Sequence, residues 1–244
     1  MRHHFRLALV AGLVAATSLT AGTASAQDEM RSTGSFIVIP RAGLVRYAEG
    51  TSLENAGFLG FEALYGLQRW LSIGTAVTVS QPSTRKEDFP AAFAYGDTTF
   101  LFLVRQPVTM FDAGLTAHGT LPALGRIAPY ILGGVGYTTL YLDPQTEGRD
   151  ERVGMMSFQV GGGADLRLSN SAGIRLEARD LGFLGYDRER LNPVSPAYQA
   201  YDRFQDILPA RTPSKKDATM HNLVLSIGFT FTPSLGGNTG EGNQ

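Results

Sequence analysis

Two histidines beyond the first ten residues, His118 and His221, are the side chains best suited to move a proton or hold a metal near neutral pH. A reaction would also need a nucleophile beside a base, a metal cluster, or paired carboxylates in a cleft. His221 has Ser214 and Ser226 near it in sequence, which leaves a serine–histidine pair for acyl transfer as one reading. The chain contains no cysteine, so thiolate nucleophiles, thiolate metal sites and disulfides are all excluded. The glycine runs Gly133-Gly134 and Gly161-Gly162-Gly163 open no helix and are not phosphate loops. A second group has a different character. Arg41, Glu62, Asp112, Asp165, Arg167, Arg175, Glu177 and Arg179 carry both signs of charge, and almost all stand singly between apolar or small neighbours. That pattern suits ion pairs in a confined space better than a solvated charged face.

The elements that must position these residues are strands, because a strand turns successive side chains to opposite faces. Over 157–168, Phe158, Val160, Ala164, Leu166 and Leu168 share one face while Ser157, Gln159, Asp165 and Arg167 share the other. After Ser169-Asn170-Ser171, Ile174, Leu176 and Ala178 oppose Arg175, Glu177 and Arg179, and the two segments form a hairpin. Residues 57–68 set Leu59, Phe61, Ala63 and Tyr65 against Gly60, Glu62 and Gly66; a tight turn near Arg69 and Trp70 leads into the same alternation over 71–80. Residues 35–47 make a first strand, with Phe36, Val38, Ala42 and Leu44 opposite Arg41. A last one, over 221–231, has Leu223, Leu225, Ile227, Phe229 and Phe231 on one face. Residues 128–142 are less clean, since glycines and Tyr130, Tyr137 and Tyr141 leave the facing open. Phe100, Phe102 and Val104 lie in even phase but Phe111, Ala113 and Leu115 in odd, with Asp112 and His118 opposite the latter. Residues 97–118 therefore read as one long strand kinked by a bulge at Gln106-Pro107, with a separate strand over 93–105 and ten strands in all as the alternative.

Eight strands result, and their connections alternate in length. Those near 69–70, 119–126 and 169–171 are short, whereas those near 49–56, 82–99, 143–153 and 185–218 are long. Every long connection then falls at one end and both chain termini at the other. The pattern predicts an all-β, eight-stranded, closed antiparallel up-and-down transmembrane β-barrel over 34–232, with short periplasmic turns and long outer loops. Alternation alone does not say which face is inside. Three features favour apolar side chains outside: the mixed charges can neutralise one another in a narrow lumen, the glycines sit largely on the charged faces, and aromatic residues fall near strand ends. Tyr47, Tyr65, Trp70, Tyr130, Tyr141, Phe183, Tyr186 and Phe231 are the candidates for interfacial girdles.

The N-terminus agrees with export. Met1-Arg2-His3-His4-Phe5-Arg6, the apolar run 7–16 and Ala24-Ser25-Ala26 read as a signal peptide over 1–26, the alternative being a retained anchor helix. Residues 27–33 form a short lead-in, and 233–244 a flexible Gly/Asn-rich tail. Removing Arg2 and Arg6 leaves 19 basic against 22 acidic residues, with no basic run to track phosphates, so nucleic acid is not an expected partner. No cofactor and no metal are expected either. The segment 187–218, with four prolines and Lys215-Lys216, reads as an exposed loop whose lysines could attract anionic head groups.

The run Ile127-Ala128-Pro129-Tyr130-Ile131-Leu132-Gly133-Gly134-Val135-Gly136-Tyr137 resembles a strand recurrent in small outer-membrane β-barrel proteins of the OmpA/OmpX/OmpW-like type. Residues 221–231 resemble the terminal insertion signal of such proteins, with Phe229 and Phe231 as its aromatic residues, although here a tail follows. The resemblance implies an outer-membrane location, contact with outer-membrane lipid and lipopolysaccharide, and recognition by the barrel-insertion machinery. The reading that results is a monomeric structural or surface protein without catalytic activity. A narrow pore, a lipid A-modifying enzyme built on His221, and a soluble lipocalin-like barrel remain as alternatives.

Overall fold

A computed structural model describes residues 33–86, 88, 91–95, 97–102, 105–142, 151–188 and 218–233. The expected signal peptide, most of the 187–218 loop with Ser214 and Lys215-Lys216, and nearly all of the tail lie outside the described residues. In chain order the strands are β1 (Phe36–Arg46), β2 (Ala56–Gln68), β3 (Leu71–Ser80), β4 (Ala91–Tyr95), β5 (Thr98–Phe102), β6 (Val108–Thr120), β7 (Ile127–Leu142), β8 (Glu151–Arg167), β9 (Ala172–Tyr186) and β10 (Ala218–Phe231). Eight of them close into a barrel in the order β1-β10-β9-β8-β7-β6-β3-β2, and every pair is antiparallel. The seam between first and last strand is in register from Val38↔Phe231 to Arg46↔Leu223, so no barrel edge is left unpaired.

The connections β2–β3, β6–β7 and β8–β9 span 69–70, 121–126 and 168–171, whereas the four others span 47–55, 81–107, 143–150 and 187–217. Short turns thus share one end with the start of β1 and the end of β10. The strands are also unequal. A tilted strand crosses hydrocarbon in about 9–11 residues, and β3 has 10, but β7, β8, β9 and β10 have 16, 17, 15 and 14. These four run on past the hydrocarbon at the long-loop end.

One expected element is corrected. Residues 97–118 are not a single kinked strand: Thr98–Phe102 pairs with Ala91–Tyr95 in a separate two-stranded hairpin within the long β3–β6 connection, and β6 begins only at Val108. The phase break marked a change of sheet, not a bulge. Pro107 cannot donate to a ladder; the chain re-enters the barrel there through a bridge to Ser83 and a Val108 N–H donated to the Pro82 carbonyl. The ten-strand barrel fails for the same reason.

Side-chain parity is inside-out. Leu44, Leu59, Phe61, Leu115, Val135, Val160, Leu176, Leu225, Ile227 and Phe229 are exposed on the outer wall, while Arg41, Glu62, Asp112, Asp165, Arg175, Glu177 and Arg179 are buried within it. The lipocalin-like alternative, with apolar faces around a cavity, is the reverse of this. A wall of that kind needs hydrocarbon around it. Leu225, halfway along β10 and 48% exposed, is the sharpest probe: Leu225→Arg should lower unfolding stability in lipid vesicles by ~2–4 kcal/mol, measured by urea titration. A barrel with this face in water would tolerate the change to within about 0.5 kcal/mol.

Candidate functional site

The chemistry-bearing residues gather inside the barrel, and the strands place them there by parity alone. Inward positions are odd on β1, β8 and β9 and even on β2, β3, β6, β7 and β10. Gly43, Gly60, Gly66, Gly74, Gly114, Gly134, Gly136, Gly161, Gly163, Gly173 and Gly228 share those positions, and at two of them the missing side chain leaves room for a long neighbour. A Cβ at Gly163 would stand 2.7 Å from the Tyr130 hydroxyl, and one at Gly60 would stand 3.0 Å from Arg41 Nε.

In the middle and lower lumen, three guanidiniums and the His118 ring face four carboxylates. Arg175 clasps Asp165 with two hydrogen bonds, Nε to Oδ1 at 2.7 Å and Nη2 to Oδ2 at 3.0 Å, and its guanidinium lies 4.5 Å from the Tyr130 ring centre. Glu177 accepts from Arg41 Nη1 at 3.1 Å, from Arg179 and from the Tyr130 hydroxyl at 2.8 Å. Glu62 accepts from Thr116 at 3.0 Å and lies 2.9 Å from His118 Nε2, with Arg175 Nη1 at 3.5 Å from its other oxygen. Asp112 is held by the neutral donors Thr138, Ser157 and Gln159, at 2.7, 2.7 and 2.9 Å, and Gln159 in turn accepts from Arg179. Arg41 also donates to Thr78 at 2.9 Å. Glu62 has no exposed surface and Arg175 only 2%. Charges this deep are tolerable only when paired and hydrogen-bonded.

Seven of the eight charges expected in the lumen are therefore brought together. Arg167 is on the same face but half-buried, because it is the last residue of β8 and stands at the short-turn mouth. Alternation could not single out the neutral partners Tyr130, Gln159, Thr78, Thr116, Thr138 and Ser157. Their parity was the available signal.

Towards the long-loop end the inward residues change character. Val45, Tyr47, Leu53, Phe58, Val108, Met110, Leu140, Leu142, Val153, Met155, Leu181, Phe183, Tyr186, Met220 and Val224 form one apolar cluster, and a smaller one of Ile37, Ile39 and Leu64 lies near the other end. This corrects half of the expected aromatic girdle. Tyr65, Trp70, Tyr141 and Phe231 are exposed outside, but Tyr47, Tyr130, Phe183 and Tyr186 are inside. The first three follow inward parity. Tyr186 is turned in by Gly185, whose φ of +69° only glycine adopts readily, and its hydroxyl donates to the Thr51 carbonyl at 2.6 Å.

Loops seal that end. Arg188 pairs with Asp88 at 3.2 Å and donates to Ser52 Oγ at 2.9 Å, tying the start of the β9–β10 connection to the β3–β6 and β1–β2 connections, with all three residues buried. Leu53 bridges to Thr84, and Asn222 Oδ1 accepts from the Ala48 N–H at 2.9 Å.

The two histidines lie on opposite sides of the wall. His118 is sealed in the lumen beside Glu62, and His221 is exposed outside with Nδ1 2.6 Å from Asp180 Oδ2. Ser226, the serine near His221 in sequence, has inward parity and reaches Glu177 instead, at 3.4 Å. Among the described residues no group of three or more metal-ligating side chains is present.

No model of a known protein family and no curated protein sequence matches the chain. Solved structures do. Neisserial surface protein A overlays with a TM-score of 0.52 at 11% identity, covering 81% of this chain and 97% of its own. OprG of Pseudomonas aeruginosa follows at 0.44 and 13%, covering 84% and 99%, and Ail of Yersinia pestis at 0.40 and 13%, covering 82% and 99%. At this identity the first overlay shows a shared fold, that of the small eight-stranded outer-membrane barrels.

Removing one member of the lumen network should be costly. Glu177→Ala strands Arg41 and Arg179 in a sealed interior and should lower stability in micelles by ~3–5 kcal/mol, read from the urea midpoint. A loss under about 1 kcal/mol would mean that water reaches the site.

Proposed function

We propose that this chain is a monomeric outer-membrane barrel with a structural or surface role, non-conducting and without catalytic activity, which holds a cap of outer loops on a rigid wall. The observation that carries this reading is the sealed interior. A conducting lumen would leave inward side chains accessible to water along its length, as in porins. Here each level is closed in turn: Ile37, Ile39 and Leu64 below, the arginine–carboxylate network in the middle, and Met110, Leu140, Phe183 and Tyr186 above, under the Arg188–Asp88 clasp.

A catalytic role finds less support. His118 has no route to a substrate, and among the described residues no serine or threonine hydroxyl is hydrogen-bonded to His221. The fold shared with a neisserial surface protein is in keeping with a surface role. Phe229 and Phe231, both outward and more than half exposed near the end of β10, suit recognition by the barrel-insertion machinery. A closed seam with no free barrel edge is consistent with a monomer.

The folded protein reconstituted in planar bilayers should give no stepwise conductance, and in cells it should fractionate with the outer membrane and migrate in a heat-modifiable way. Regular conductance steps would replace the structural reading with that of a pore.

A further inference from the structure

The outer wall is apolar almost everywhere, and its exceptions are not scattered. Among the outward positions of the eight barrel strands, the side chains that carry charge or an imidazole are Arg46, Arg152, Asp180 and His221, all towards the long-loop end. They fall on β1, β8, β9 and β10, which are consecutive in the wall. Arg152 lies higher, packed 5.3 Å over the Tyr141 ring. The other three belong together. Arg46 pairs across the sheet with Leu223, and Leu223 with Asp180, so Arg46 and Asp180 stand two strand spacings apart, about 10 Å. His221 is the next outward residue on β10, about 7 Å from Leu223. It is held to Asp180 at 2.6 Å and meets the Phe158 ring edge-on at 5.7 Å. Arg46 is exposed and has no hydrogen-bond or ion-pair partner among the described residues.

Directly beneath this row lies a shallow open groove of about 590 Å³ on the same four strands. Small residues floor it: Ala42, Ala178, Gly162 and Ala164. Leu44, Leu225, Ile227 and Leu176 wall it. The register sets the two features in line, since Leu44↔Leu225↔Ala178↔Gly162 is the same-face row next below Arg46↔Leu223↔Asp180↔Val160. A second outer groove, of about 700 Å³ and walled by Tyr65, Ile73, Leu115 and Val135, has no charged side chain beside it.

We propose that Arg46 and His221, with Asp180 holding the imidazole in place, bind the phosphate of a phosphorylated glycolipid of the outer leaflet, one of whose acyl chains lies in the groove below. The inference rests on the outer-membrane reading above and adds a site to it. A charged side chain facing hydrocarbon is costly at the midplane and far less so near the interface, which puts this row towards head-group level. Exposed Arg46, beside an imidazole that Asp180 holds and over an apolar trough, matches an amphiphile with an anionic head. A second copy of the chain would bring its own charge cluster against this one.

The test uses the mature chain folded in micelles, with bisphosphorylated lipid A as the probe and binding read by native mass spectrometry. One lipid A should bind tightly. The double variant Arg46→Ala/His221→Ala should bind at least tenfold more weakly, as should Ala178→Phe, which fills the groove and leaves the charges intact. Arg152→Ala and Ala117→Phe, the latter in the second groove, should bind as the parent does. Lipid A stripped of phosphate should also bind at least tenfold more weakly. Equal binding by parent and variants, equal binding of the stripped lipid, or equally tight binding of phosphatidylglycerol would each overturn the proposal. Heat-modifiable migration of every variant separates the two readings: a barrel that folds in micelles yet shows no such site loses only this inference, and a chain soluble without detergent loses both.

Discussion

Backbone polar groups cannot be left unpaired in hydrocarbon, and a sheet that enters it must therefore close on itself. In this chain closure rests on the β1–β10 seam, made between the first and last strands in sequence. Once the seam forms, strand parity divides the side chains between two solvents. Apolar ones meet the hydrocarbon, and everything else is gathered into a lumen barely wide enough to hold it. The charged residues inside are thus a consequence of closure, and their pairing is its condition. Arg41, Arg175 and Arg179 can be buried because Asp165, Glu177 and Glu62 come within reach from the same strand, a neighbouring strand or across the lumen.

That rule does not hold along the whole barrel. Where β7 to β10 run on at the long-loop end, inward residues become apolar, as at Leu140, Val153, Phe183 and Met220, and outward ones become mixed, with Arg152, Thr219 and His221 beside Tyr141, Met156 and Leu184. The strands there behave as a water-soluble sheet, burying an apolar face against the loops that cross the opening. The change in inward polarity separates the ionic centre from the end that the loops cover. It also explains why one barrel holds both an ionic centre and a conventional core.

Most of the architecture was legible in the sequence because a period of two is easy to read where one face meets lipid. The hairpin at 157–179, the 57–80 pair and the terminal strand lie as the alternation predicts. Four things were not legible. A phase break cannot distinguish a bulge from a change of sheet, and residues 98–102, which alternation alone places in the barrel, belong to a separate hairpin. An aromatic residue near a strand end can face either way, and Gly185 alone turned Tyr186 inward. The clasp between Arg188 and Asp88 joins residues 100 positions apart in different loops, a distance over which no local pattern operates. The charge set was readable as a set, because all eight residues share inward parity. Who pairs with whom depends on barrel shear, and alternation carries no record of that.

The claim on which all of this depends is the facing of the wall, and the absence of cysteine makes it directly measurable. Single cysteines placed in turn from 174 to 182 along β9 can be spin-labelled in protein reconstituted into bilayers, and their accessibility to dissolved oxygen compared with that to a water-soluble nickel chelate. The account predicts a period of two, with oxygen reaching labels at 174, 176 and 178 and neither agent reaching those at 175, 177 and 179. The opposite parity, or nickel access along the odd positions, would contradict it.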